Sequence, residues 1–268
     1  MMKSALNSRF SLATLVLATL LLSACGKKDD AGATAPAAQK IVYTVGTNAA
    51  YRPMEWQDQQ KNIVGFDIDL MKAIAQKEGL ELRFVDTPFE SIFNALAQGD
   101  RDILISSITV TDERRKTVDF SEPYFEARQL IAVPKQRSDI KKFDDLKNLK
   151  IGVQSSTTGD LLAQQLVGKN NTNVKRMEDI PLVFSELEAG GVDAVVTDEP
   201  VIRNYIAHNG SEKFKTISDA GFPKEYYGIA VRKGNADLLK KINQGLAAIK
   251  QDGTYEQISE RYFGKAAQ

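Results

Sequence analysis

Ile105-Ser106-Ser107-Ile108-Thr109-Val110-Thr111-Asp112-Glu113-Arg114-Arg115 is the stretch on which the reading of this chain turns. The residues leading into it, 102–105, are a short apolar run of the kind that makes a buried strand of a parallel sheet. Thr111 followed by Asp112 and Glu113 is a helix start, with a capping hydroxyl and acids where the helix dipole favours them. A strand-to-helix turn this rich in hydroxyls and ending on Arg114 is a ledge for a small carboxylate. The guanidinium supplies a bidentate fork, and Ser107 and Thr109 add hydrogen bonds through side chain or backbone. Alone, the same string is also an ordinary loop with a solvated arginine.

Working outward, 41–46 reads as a strand and 67–77 as a helix with Ile68, Met71, Ile74 and Ala75 on one face, stopped by Gly79. A strand over 80–85, a helix over 89–98 and the strand over 102–105 complete an alternation that predicts a parallel sheet covered on both faces. A second run begins with a strand over 150–154 and the turn Ser155-Ser156-Thr157-Thr158-Gly159, whose amides at a helix start suit an anion. Strands over 173–176, 192–197 and 214–217 then alternate with helices over 181–189 and 199–207.

The two runs match each other. Phe93, Leu96, Gly99 and Asp102 stand at a constant offset from Phe184, Leu187, Gly190 and Asp193, which sets Ser107 opposite Asp198. Each half then presents a polar residue just past the carboxyl end of an equivalent strand, where open α/β sheets bind ligands. Extended segments at 129–134 and 226–231 lead out of the first half and back. The fold class read here is α/β with two lobes and two hinge-connecting strands: 41–132 and 228–268 form the first lobe and 133–227 the second. Helices over 236–251 and 255–262 close the chain.

Of the 268 residues, 1–24 form a leader: Lys3 and Arg9 precede an apolar run over 10–22, which is short for a membrane span. Leu22-Ser23-Ala24-Cys25 follows, and Cys25, the single cysteine, has no internal disulfide partner. The stretch 25–40 has little to bury and reads as a flexible tether. Basic and acidic residues balance at 35 each, so nucleic acid is not an expected partner. With one histidine, His208, at a predicted helix end, neither a metal site nor a cofactor is expected, and a cationic cap is the expected role of that ring.

Gly65-Phe66-Asp67-Ile68-Asp69-Leu70, Ser107 through Arg114, Val118-Asp119-Phe120-Ser121-Glu122-Pro123-Tyr124, Asp193 through Asp198 and Asp252-Gly253-Thr254-Tyr255 occur in the order found in one family. From about residue 40 to 264 the chain resembles the bacterial extracellular solute-binding proteins, family 3, which deliver polar amino acids to ABC transporters. The end of the leader resembles a lipobox, with Cys25 the lipidated first residue of the mature chain. The resemblance implies a periplasmic-binding-protein fold. Arg114 would fork onto the ligand carboxylate, and Ser107, Thr109 and Thr158 would help bind the amino-acid backbone. Asp198 would receive the ammonium, and Tyr51 and Phe89 would enclose the ligand. Asn48 stands where several relatives have an acid. With Glu90 and Gln154 it is a candidate lining of the side-chain pocket, as is Thr197.

These residues suit a zwitterion taken out of water, which needs a cation, an anion and rigid donors. The expected partners are a polar neutral or basic L-amino acid, an ABC permease and, through Cys25, a lipid bilayer. The protein itself is expected to be a monomer in the periplasm, anchored to a membrane that the residue after Cys25 suggests is the outer one. Two other classes share the scaffold: a prephenate or arogenate dehydratase, with Glu55, Glu90 or His208 as acid or base, and a ligand sensor that contacts a receptor.

Overall fold

Residues 41–210 and 212–265 are described by a computed structural model of the chain. The leader, Cys25 and the tether to residue 40 lie outside the described residues. Strand β1 (Val42–Thr47) is followed by a small antiparallel sheet of β2 (Ala50–Tyr51), β3 (Glu55–Gln57) and β4 (Ile63–Val64). Helix α1 (Phe66–Glu78) buries Phe66, Ile68, Leu70, Met71 and Ile74, the spacing that puts apolar side chains on one face. Next come β5 (Glu81–Asp86), α2 (Ile92–Gln98), β6 (Ile103–Leu104), α3 (Asp112–Arg115) and β7 (Val118–Phe120).

The long strand β8 (Phe125–Pro134) leads to β9 (Ile151–Gln154), α4 (Thr158–Val167), β10 (Val174–Met177), α5 (Ile180–Ala189), β11 (Ala194–Asp198) and α6 (Glu199–Tyr205). Strands β12 (Phe214–Ile217), β13 (Lys224–Tyr227) and β14 (Ala230–Arg232) bring the chain back, and α7 (Ala236–Gln251) and α8 (Thr254–Phe263) finish it. The first sheet has the order β5-β1-β6-β14-β7 and the second β10-β9-β11-β8-β12, with β13 paired to β8.

Neither sheet is purely parallel. β1 pairs parallel with β5 and β6, and β9 with β10 and β11, as the alternation predicts, but β14 and β8 run antiparallel to their neighbours. Both are strands next to the crossings between halves, so each meets its sheet from the opposite end. The helix expected over 89–98 is a tight single turn at Phe89–Ser91 before α2, a common way for a helix to begin. The helix expected over 199–207 ends at Tyr205 and widens into a π turn, Ile206–Gly210.

Helix α7 packs on α1 through Leu238, Ile242, Leu246 and Ile249, all buried, each contributing roughly 1.5–3 kcal/mol. Gly245 lets the helices approach: a Cβ there would lie 2.8 Å from the Ile74 Cγ2 and 3.0 Å from the Ile74 carbonyl oxygen. That pairing fixes α1, and α1 carries Asp67 to the floor of the cleft.

Candidate functional site

The ledge after β6 is built from buried hydrogen bonds. Ser106 Oγ accepts from the Asn48 N–H and donates to Glu55 Oε1, both at 2.9 Å. Ser107 takes φ 49°, a left-handed conformation that costs a serine energy. Its N–H is held by Asp67 Oδ2 at 2.7 Å, and its hydroxyl reaches Glu55 Oε2 at 3.3 Å. Beyond it the ledge is stitched to the returning chain, with Val110 N–H on the Tyr226 carbonyl (2.8 Å) and Gly228 N–H on the Ile108 carbonyl (3.0 Å).

Glu55 and Asp67 are a buried carboxyl pair under this ledge. Removal from water, then the charge of Asp67, holds Glu55 well above the ordinary carboxylate range, and loss of water pushes Asp67 up to about 7. The pair keeps a proton at neutral pH, because two adjacent carboxylates cannot both ionise cheaply in a low dielectric.

Thr111 caps α3 as its sequence predicts, its hydroxyl oxygen accepting from the Arg114 N–H at 3.1 Å. This aims the Arg114 side chain back across the ledge. Its Nη1 donates to the Thr109 carbonyl at 2.8 Å and its Nη2 to the Ser156 carbonyl, across the cleft, at 3.2 Å. The guanidinium stacks over Phe89 and Phe93, 5.4 and 5.2 Å from the ring centres. Desolvation draws its pKa down to about 10 against the opposing pull of Glu225 and Asp198, so it stays charged.

From the second sheet, Gln154 at the end of β9 donates to Asn48 Oδ1 at 2.7 Å, and Asn48 in turn donates to Asp179 Oδ1 at 2.9 Å. Thr157 caps α4, accepting from the Asp160 N–H at 3.2 Å. Asp198 at the end of β11 accepts from Tyr51 Oη (2.8 Å), from Tyr227 Oη (2.5 Å) and from Gln129 Nε2. Burial first, then the nearby Glu225, pushes Asp198 up to about 7. Tyr51 Oη also lies 2.7 Å from Thr197 Oγ1.

These contacts hold the two walls together. The space left between Asn48, Tyr51, Phe89, Arg114, Gln154 and Thr158 is about 20 Å³, room for little more than one water. The structure is a closed cleft, and anything the size of an amino acid requires these walls to part.

An arginine on the wall of one buried cleft, with a carboxyl group from the other sheet hydrogen-bonded behind its Tyr51, is a layout that suits a small zwitterion. The family model of bacterial extracellular solute-binding proteins, family 3, matches residues 43–265. The chain belongs to this family. A relative of this solute-binding protein in Neisseria gonorrhoeae, described as a probable histidine-binding protein, is 41% identical over 94% of each chain. The ABC transporter arginine-binding protein 1 of Escherichia coli is 35% identical over 85% of this chain and 93% of its own. Among solved structures, the arginine-, lysine-, histidine-binding protein ArtJ of Geobacillus stearothermophilus is similar with a TM-score of 0.80 and 40% identity, covering 86% of this chain and 97% of that one. The fold is that of two-lobed amino-acid-binding proteins.

In this solute-binding protein Asn48, Tyr51, Phe89, Ser107, Thr109, Arg114, Gln154 and Thr158 line one cavity. Asp198 stands behind Tyr51 and Tyr227. Glu90 is exposed and absent from the cavity wall, because its place in the turn after Pro88 points it outward while Phe89 turns in. His208 is also exposed, with Nδ1 2.8 Å from the Asn204 carbonyl oxygen. Sequence reasoning missed Ser106 and Thr157 on the wall, Asp67, Gln129 and Glu225 behind it, and the place of Glu55 on it. Asp67 lay inside a quoted motif but read only as a helix start.

Proposed function

We propose that the protein captures a polar L-amino acid, neutral or basic, between its lobes and delivers it to the permease of an ABC importer, with no covalent step. The observation that carries this reading is Arg114 on the wall of the cleft with Asp198, from the other sheet, hydrogen-bonded behind Tyr51 of that wall, a charge pattern that suits a zwitterion once the walls part. Arg114 would take the carboxylate and Asp198 the ammonium. Ser107, Thr109 and Thr158 would hold the backbone, with Tyr51 and Phe89 enclosing it and Asn48 and Gln154 facing the side chain. With the walls parted enough to admit the ligand, contacts from both lobes favour the state closed around it, and that closure is the signal a permease can read.

The reading carries three further parts. Residues 41–132 and 228–268 act as one lobe and 133–227 as the other. Cys25 carries lipid and 25–40 tethers a monomer to a membrane facing the periplasm, the outer one by the residue that follows. Of the candidate groups for a dehydratase, Glu90 and His208 stand away from the cavity while Glu55 lies on its wall, so turnover is tested beside binding. A thermal-shift screen against the common L-amino acids tests the whole: a ligand at 100 times its Kd adds ~2.7 kcal/mol. A flat screen, or turnover of prephenate, would count against the proposal.

A further inference from the structure

Glu225 lies on β13, on the way back from the second sheet to the first, with 6% of its surface exposed. Its Oε2 accepts the hydroxyl of Thr109 at 2.6 Å and that of Thr158 at 2.9 Å. These threonines come from opposite walls of the cleft, one on the ledge after β6 and the other in the first turn of α4. One carboxylate oxygen thus fastens both walls. Both hydroxyls are thus committed to Glu225, while both threonines line the cavity.

The other oxygen, Oε1, accepts from Gln129 Nε2 at 3.2 Å, and the same amide nitrogen donates to Asp198. Glu225 and Asp198 are therefore two buried carboxyl groups bridged by one amide. Glu55 and Asp67 form a second buried carboxyl pair beneath the ledge, joined through the N–H and hydroxyl of Ser107. Among the described residues lining the cavity, Arg114 is the only basic one.

The charge balance follows from these neighbours. Four buried carboxyl side chains, Glu55, Asp67, Asp198 and Glu225, stand on or behind the walls of a cavity lined by one guanidinium, so acidic groups outnumber basic ones there. A zwitterion leaves that imbalance in place. A ligand with one additional positive charge reduces it, and the attraction is felt across the cleft because little water is left to screen it.

We propose that Glu225 is a specificity-determining residue of the amino-acid site, whose buried carboxylate makes the closed cleft select a ligand of net positive charge, of the arginine or lysine class, over its neutral isostere. The proposal rests on the amino-acid-binding reading above and narrows it. Glu225 acts on the ligand's common carboxylate and ammonium equally in both cases, so its charge shows in the ratio of the two affinities.

The test is calorimetry on the whole protein with L-arginine and L-citrulline, which match in shape and differ in charge. The wild type should bind arginine at least tenfold more tightly. Glu225→Gln keeps a carbonyl oxygen to accept the threonine hydroxyls but removes the charge, and should lower that ratio fivefold or more, mainly by weakening arginine. Glu225→Asp keeps the charge with a shorter reach, and should weaken both ligands while preserving the ratio. Equal wild-type affinities, or an unchanged ratio in Glu225→Gln, overturn this inference and leave the binding function standing. A wild type that binds no L-amino acid overturns the functional reading together with it.

Discussion

Asp102 and Asp193 clasp the strand beside them in the same way. The Asp102 N–H donates to the Thr44 carbonyl and the Thr44 N–H to Asp102 Oδ2; the Asp193 N–H donates to the Lys150 carbonyl and the Lys150 N–H to Asp193 Oδ2. An arginine near each crossing completes both clasps, Arg232 at Asp102 Oδ1 and Arg137 at Asp193 Oδ1. Gly99 and Gly190, at φ 86° and 75°, end the helices before them in the left-handed region. The repeat in the sequence is thus a repeated piece of structure.

Asp193 sits at the far end of β11 from Asp198, so its clasp can be removed without touching the cleft. Asp193→Ala leaves the Lys150 N–H without its carboxylate acceptor and Arg137 with Asp139 alone, at a partly exposed site, and should cost about 0.5–1.5 kcal/mol. Thermal unfolding should show the loss, while calorimetry on the folded variant gives near-normal ligand affinity. An unchanged melting temperature would mean that the clasp adds nothing to stability.

Arg114 spans the cleft with two nitrogens on two carbonyls, a geometry that a lysine ammonium on its flexible stem does not reproduce. Arg114→Lys should fold and lose most ligand binding, by on the order of 2–5 kcal/mol, or about 30-fold to several thousand-fold in Kd. Near-normal affinity by calorimetry would remove Arg114 from the site.

What the sequence disclosed was local. Thr111 and Arg114 lie three residues apart, so one cap and one helix turn place the guanidinium, and β6 to α3 could be read from periodicity. The rest of the cleft is made by contacts between distant residues: Thr109 meets Glu225 at a separation of 116, and Asn48 meets Asp179 at 131. No spacing rule reaches that far. Glu90 stands outside the cavity wall for a related reason, since adjacent positions in a tight turn point different ways and of Phe89 and Glu90 only Phe89 is buried. The mixed sheets were hidden because the direction of β8 and β14 depends on where the chain crosses, which apolar runs do not encode.

Asp198 accepts two tyrosine hydroxyls and an amide, and an ammonium would have to join or replace these donors. Asp198→Asn should weaken an L-amino acid strongly. An analogue without the α-amino group should bind the wild type poorly and lose little more in the variant. Equal weakening of both ligands would break the assigned pairing.

Cys25 is the single cysteine of the chain, set directly after Leu22-Ser23-Ala24. Cys25→Ser should release from the membrane a protein that still binds its ligand. Membrane fractionation that does not change in the serine variant, or mass spectrometry of an unmodified Cys25, would rule out the anchor.

The buried carboxyl pairs make stability depend on pH in an unusual direction. Asp67 and Asp198 are each pushed up to about 7, chiefly by removal from water, from an ordinary value of 3.8. In the window between those values the folded chain holds protons that the unfolded chain has released, so stability falls as pH rises. The contribution is complete below about pH 4 and is lost as pH passes through about 7, a change on the order of a few kcal/mol for shifts this large. Asp119 and Asp252, held low by Lys233 and Lys77, act oppositely but only below the ordinary carboxylate range, outside this window. The ligand-free protein should therefore melt at a higher temperature at pH 5 than at pH 8. Asp67→Asn replaces one titrating partner with an amide and should flatten the difference. Thermal unfolding of both proteins across pH 5–8 decides it: a wild-type melting temperature that rises with pH, or a slope untouched by Asp67→Asn, would show that these carboxyl groups do not carry the protons assigned to them.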